Sequence, residues 1–300
     1  MFGWDQLPQD RLKDSMKTKF LRAAPFLVLV GAEPYPHAAT MEISASAWDV
    51  PAAPVPGEGP TQRGPRATPN ALAIADTVQR LVQAAFVRED RSGLEEARRV
   101  AERGLEQFPE DPLLLHYVGY VDFRLAALLL QTDGSDEEVR ALVGLAQASL
   151  ARSAELHPLP ETYALLSAIE GIKVAVGSKL GAPFAVRRAN AAMAMALALG
   201  PENPRAWLIQ GIHAAEVPRL FGGGRDKARV ALERALQLFE SDPAEAPWPV
   251  WGKAEAYAWL GIIQARMGER ELARQSYEAA LLLEPESKRI REVLLPRLDR

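Results

Sequence analysis

The chain has 300 residues, 48% of them hydrophobic and 25% charged, the composition of an ordinary soluble globular protein. A formal charge of −4 supplies no general attraction to nucleic acid or anionic lipid, so neither is expected as a partner. With no cysteine there is no disulfide framework, no thiolate metal site and no cysteine nucleophile.

In chain order, residues 1–68 differ in composition from everything after them. Ten of the 23 prolines fall within residues 1–70, among Ala, Gly, Ser and Thr that cannot bury a core, which predicts a disordered tail with a flexible linker over 44–68. Inside this tail Met16 opens a segment with Lys17, Lys19 and Arg22, followed by an apolar run from Ala23 to Ala32 that Pro25 interrupts. A basic start, a short apolar run and a Val-x-Ala ending have the shape of a secretory signal peptide over 16–32. Translation from Met16 implies cleavage after Ala32 and a periplasmic or exported protein; an intact tail implies a cytoplasmic one. The run is too short for a transmembrane span.

Residues 69–300 predict an all-α solenoid of antiparallel helix pairs. Small and apolar residues recur at i, i+3, i+4 and i+7 through five units, at 71–111, 112–159, 160–203, 204–247 and 254–286. In the first unit Ala97, Ala101 and Gly104 occupy the second helix, and Pro109 ends it. Gly119 falls in the first helix of the second unit, and Ala146, Leu150 and Pro158 in its second. Tyr163 and Leu166 precede Ala189, Met193, Ala196 and Pro201 in the third. In the fourth, Trp207 and Gly211 precede Ala228, Leu232 and Ala235. The three middle units carry about fifteen, ten and five extra residues between their helix motifs, so longer first helices or ordered loops are expected to project from one edge.

The fifth pair sets the phase. It supplies Tyr257, Leu260, Gly261, Ala273, Tyr277, Ala280 and Pro285, with Met267, Gly268 and Glu269 at the turn. Gly261 and Ala273 are small where two helices cross, and Pro285 ends the second helix. These residues match the 34-residue tetratricopeptide (TPR) pattern of an aromatic, Leu-Gly, Ala-x3-aromatic, Ala and Pro. Residues 70–300 resemble bacterial TPR proteins, also in Phe221 to Gly224, Lys227-Ala228 and Trp251-Gly252. The resemblance implies a right-handed superhelix. Residues 287–298, with Ile290, Val293, Leu294 and Leu298 at helical spacing and Ser287 as candidate N-cap, read as the polar-faced capping helix that a solenoid needs.

No catalytic constellation is visible. His37, His116, His157 and His213 have no partner at metal-ligand spacing, and neither a Gly-x-Ser-x-Gly nor a P-loop spacing occurs. No cofactor and no metal are expected. The run Gly222, Gly223 and Gly224 before Arg225 could form an anion-binding nest, but reads better as a turn with positive φ, Asp226 at the following helix start and Phe221 packed inward.

Function is expected on the concave face, where the first helices of each pair line a groove and TPR proteins hold partner peptides. Counted from each motif, the lining is Phe86, His116, Tyr120, Phe123, Arg124, Leu208, Ile212, Glu216, Ile262 and Arg266, apolar and aromatic in character. These residues either bind a partner or fill the space between first helices. The Lys/Arg/Asn clamp of chaperone-binding TPR domains has no counterpart at these places. Trp248 and Trp251, in the loop over 241–253, either anchor a partner or fold back onto the fourth and fifth pairs, and Trp251 beside Gly252 favours packing. The expected function is a non-catalytic scaffold that binds another protein's segment in an apolar groove. The alternative is a periplasmic accessory or ligand-handling subunit of an envelope transport system, since the elongated middle units are similar to the T component of TRAP transporters, whose lipid-anchoring cysteine is absent here.

Overall fold

The computed structural model describes residues 68–132, 134–178, 180–217, 219 and 222–299. The 16–32 segment and all of the 44–68 linker except Thr68 lie outside them. Among the described residues ten long helices follow one another as five antiparallel pairs: α1 Pro69–Val87 with α2 Arg91–Gln107, α3 Pro112–Gln131 with α4 Asp136–Leu156, α5 Pro160–Val176 with α6 Ala182–Leu199, α7 Pro204–Glu216 with α8 Arg225–Phe239, and α9 Lys253–Arg266 with α10 Arg270–Leu283. Each pair packs within itself and on the next, so the described residues form an all-α helical-repeat solenoid.

The helix starts follow from local chemistry. Proline stands at the first position of α1, α3, α5 and α7, where its missing N–H costs nothing and its fixed φ suits a helix. Thr68, Asp90, Asp111, Ser135 and Asn203 each accept an N–H of the first turn of the helix they cap. The crossings explain the motif's small residues. A Cβ on Gly119 would stand 2.5 Å from Leu150, and one on Gly261 2.5 Å from Tyr277.

The extra residues of the second and third units lengthen both helices of the pair. The helices α3 and α4 have 20 and 21 residues and α5 and α6 have 17 and 18, against 14 each for α9 and α10. In the fourth unit the extra residues form the connection 217–224. There Gly222 and Gly224 take φ of +89° and +116°, Gly224 donates to the Ala214 carbonyl at 2.8 Å, and buried Gly223 has no room for a side chain beside Val217. Phe221 lies outside the described residues.

The capping segment is helical but not regular. A π-helical turn at Ile290–Leu294 runs into a short helix, α11 Leu295–Leu298. Leu295 donates to the Ile290 carbonyl, one residue beyond the α-helical partner, next to Pro296, which has no N–H to give. Ile290, Leu294 and Leu298 pack with Ala273, Tyr277 and Ala280 of α10 in a second, smaller core.

The solenoid returns on itself. Gln83 of α1 donates to Glu284 at the end of α10, Arg88 pairs with Glu286 at 3.1 Å, and Glu89 faces Arg289 at 3.9 Å. First and last units therefore meet along a polar seam.

Candidate functional site

The helix at the centre, α3, is apolar on nearly every side: Leu113, Leu114, Tyr117, Val121 and Leu125 are all at most 3% exposed. Its length and hydropathy would suit a membrane span, but 89% of its 18-residue apolar window is buried inside the protein, which accounts for its composition. A first helix lining an open groove would show one face to solvent. This one does not, because α9 and residues 241–252 cover that face.

Arg124 is the hub of the covered side. Its guanidinium forms two hydrogen bonds with Glu255 of α9, at 3.1 and 2.7 Å. It lies 4.0 Å from the centroid of the Phe86 ring, 5.0 Å from that of Tyr120 and 5.6 Å from those of Phe123 and Trp251. Burial opposes its charge, but Glu255 and Tyr120 outweigh burial and hold its pKa above the usual arginine range. The Tyr120 phenol, 1% exposed, is pushed up to about 12 by burial.

Residues 241–252 cross the concave face and are held at three points. Asp242 accepts from Arg205 of α7 at 2.7 Å. The Pro247 carbonyl accepts from the Tyr117 hydroxyl of α3 at 2.7 Å, while Tyr117 also meets Gln79 of α1. Trp251, 3% exposed, stacks on Tyr120 with centroids 5.3 Å apart and planes at 19°. Trp248 is half-buried against the main core. Beside Trp251, a cavity of about 290 Å³ opens between Gln79, Gln83, Lys253 and Glu284. Burial raises the Glu284 carboxyl to about 7, and nearby Glu255 adds to this against Arg124 and the Gln83 hydrogen bond.

Further buried polar groups sit under the same segment. His116, fully buried, shares a 2.9 Å hydrogen bond between Nδ1 and Thr162 Oγ1, and burial, helped by Arg205, lowers its pKa to about 3, so it is neutral. Glu161 accepts from Asn203 at 2.6 Å, and burial raises its pKa. Arg205 is 1% exposed and lies 5.4 Å from the Phe239 ring centroid. Its Nη2 holds Asp242, while Nε and Nη1 have no hydrogen-bond partner among the described residues.

The expected lining thus divides. Phe86, Tyr120, Phe123 and Arg124 come together, with Trp251 against them, while His116 and Leu208 are closed in at 0% exposure. The wrap of the solenoid and the 241–252 segment cover this lining, so in this structure these side chains fill the space between first helices. Ile212 is half-buried against the main core, and Ile262 instead joins the small core of α10 and the cap. Glu216 and Arg266 pair at 3.2 Å near the surface. The polar anchors Tyr117 and Arg205 were not foreseen, since both sit at helix positions the repeat pattern leaves unassigned. Among the described residues no three His, Asp or Glu side chains are grouped to hold a metal ion.

No family model matches the chain, and no curated protein matches it in sequence. Solved structures do. The HusA haemophore from Porphyromonas gingivalis aligns with a TM-score of 0.54 at 22% identity, over 66% of this chain and 96% of its own. A thermophilic TPR protein of Thermus thermophilus aligns with a TM-score of 0.50 at 21% identity, over 72% of this chain and 95% of its own. At these identities the likeness speaks to architecture. Together with the helix pairs and the packed motif glycines, it makes the fold of this chain that of an all-α, TPR-like helical-repeat solenoid.

Proposed function

We propose that this protein is a non-catalytic interaction scaffold whose concave face holds an extended segment of a partner protein. The observation that supports this reading is the chain's own 241–252 segment. It carries Pro243, Pro247 and Pro249, and it is gripped by an ion pair, a hydrogen bond to a backbone carbonyl and a stacked indole. Those are the contacts with which a helical groove holds an extended peptide. Phe86, Tyr120, Phe123 and Arg124 form the floor of the site, and apolar burial there supplies the binding energy, at roughly 25 cal/mol per Å² before the cost of association.

The test is to capture a partner with the full chain from its native cell and map it by hydrogen exchange on the purified complex. Added protection of α1, α3 and α7, with a change at 241–252, supports the proposal. Protection confined to the outer helices α2, α4, α6, α8 and α10 would overturn it.

A further inference from the structure

The three contacts that hold residues 241–252 also describe what would replace them. Arg205 presents a planar fork of donors, the shape that grips a carboxylate with two parallel bonds. Asp242 takes only Nη2, and Nε and Nη1 stay buried without a partner among the described residues. A buried donor left unpaired is costly, so the fork is better satisfied by a carboxylate that approaches it end-on. Asp242 is held by the chain on both sides, being two residues beyond Glu240, which caps α8. At the other end of the segment, the Tyr120 ring and the Arg124 guanidinium form a flat, cationic-edged platform that an indole already occupies. Tyr117 between them binds a main-chain carbonyl and so reads no side chain.

We infer that residues 241–252 are a built-in pseudo-ligand, and that the partner is an extended peptide with a carboxylate for Arg205 and, about nine residues later, an aromatic ring for Tyr120. This rests on the interaction-scaffold reading and deepens it. The carboxylate, arriving end-on, takes Nη1 together with Nη2, one donor more than Asp242 takes, and the aromatic displaces Trp251. The site is thereby closed to segments that lack either end, because they cannot match the two contacts they must replace.

The experiment uses the full chain and a labelled peptide with the sequence of residues 241–253, followed by fluorescence anisotropy. The segment is loosened in the protein by Asp242→Ala with Trp251→Ala. If circular dichroism shows that this variant has lost helix, Asp242→Asn alone is used, which leaves the indole packed. The loosened protein is expected to bind the peptide at least tenfold more tightly than the wild type. Alanine in place of the peptide's Asp, or of its last Trp, is expected to weaken binding roughly tenfold or more. Arg205→Lys in the loosened protein, which keeps the charge and removes the fork, is expected to erase the effect of the Asp change alone. Equal binding of a scrambled peptide would overturn the inference and leave the scaffold reading standing. Absence of binding by every peptide, to a protein that is still helical, would sink both.

Discussion

The pair of Arg124 and Glu255 is where the wrapped architecture can be tested most directly. Both lie inside the ring, with side chains 4% and 19% exposed, and they join the second unit to the fifth. Glu255→Ala leaves the arginine charge buried among Phe86, Tyr120, Phe123 and Trp251 with no hydrogen-bonded counterion, Glu284 being the nearby carboxyl that remains. Removing one partner of a buried pair costs about 3–5 kcal/mol; partial exposure of Glu255 places this case near the lower end. For a domain of this size, 3 kcal/mol corresponds to a fall in melting temperature of about 6–12 °C. The double variant Arg124→Met with Glu255→Leu puts apolar volume where the pair was and is expected to regain most of that loss, because the pair's desolvation cost disappears with it. Urea denaturation of the wild type, Arg124→Met, Glu255→Leu and the double variant closes the cycle, with Glu255→Ala measured beside it. A Glu255→Ala protein within about 1 kcal/mol of wild type would mean that water reaches the guanidinium, and the covered site described here would be wrong.

Three further outcomes follow from the same geometry. Glu284 has an ordinary value near 4.5 when unfolded and about 7 when folded, facing Gln83, Glu255 and Arg124. Its contribution to stability is fully present below about 4.5 and is lost as pH rises through about 7, so Glu284→Gln is expected to flatten that part of the stability–pH curve and raise stability above pH 7, read by chemical denaturation across pH 4 to 8. Gly261→Ala places a Cβ 2.5 Å from the Tyr277 ring, and despite alanine's better helix propensity it should cost about 1–3 kcal/mol; a stabilised variant would show that the crossing has slack. Tyr120→Ala empties a fully buried site and should cost about 3–5 kcal/mol, so a loss of partner binding in that variant counts only when near-ultraviolet dichroism shows native packing.

The repeat was legible because each motif position answers to a local steric demand. Gly119 and Gly261 are small because a facing side chain comes within 3 Å of where their Cβ would be, and Ala97, Ala146 and Ala273 are buried for the same kind of reason. Such demands are fixed within one pair and can be read pair by pair. The closure of the ring was not legible that way, since it accumulates from small rotations between units that no single motif encodes. One signal was present in the sequence. The stretch from Leu113 to Leu130 places apolar residues on every side of the helix, with His116, Asp122 and Arg124 the only His, Asp, Glu, Lys or Arg among them, and a groove-lining helix has no reason to be so apolar. Counting inward positions from the motif assigned Phe86, Tyr120, Phe123 and Arg124 to one lining, and in the structure these four come together; the count could not tell that Trp251 would arrive to cover them. The packing reading of Trp251 needed only its glycine neighbour. Gly252 takes φ of +111° with Leu208 and Phe239 close around it, which turns the chain inward at that point.

The distribution of contacts also says which parts can move without unfolding the rest. Within each pair, contact is continuous and apolar, as with Leu150 under Gly119 or Tyr277 under Gly261. The seam between first and last units is different in kind. Of its ion pairs, Arg88 with Glu286 is 49% and 67% exposed, the range in which such a pair contributes little. Segment 241–252 is likewise held by a few discrete contacts, and Ser241, Pro243, Glu245 and Ala246 are exposed. Local opening of seam and segment therefore costs less than separating any helix pair. A partner peptide needs only that smaller opening. Native-state hydrogen exchange should then show the Trp248 and Trp251 amides exchanging well before those in the middle of α3, and equal protection at the two places would mean that segment and scaffold open as one unit, leaving a partner no way in short of global unfolding.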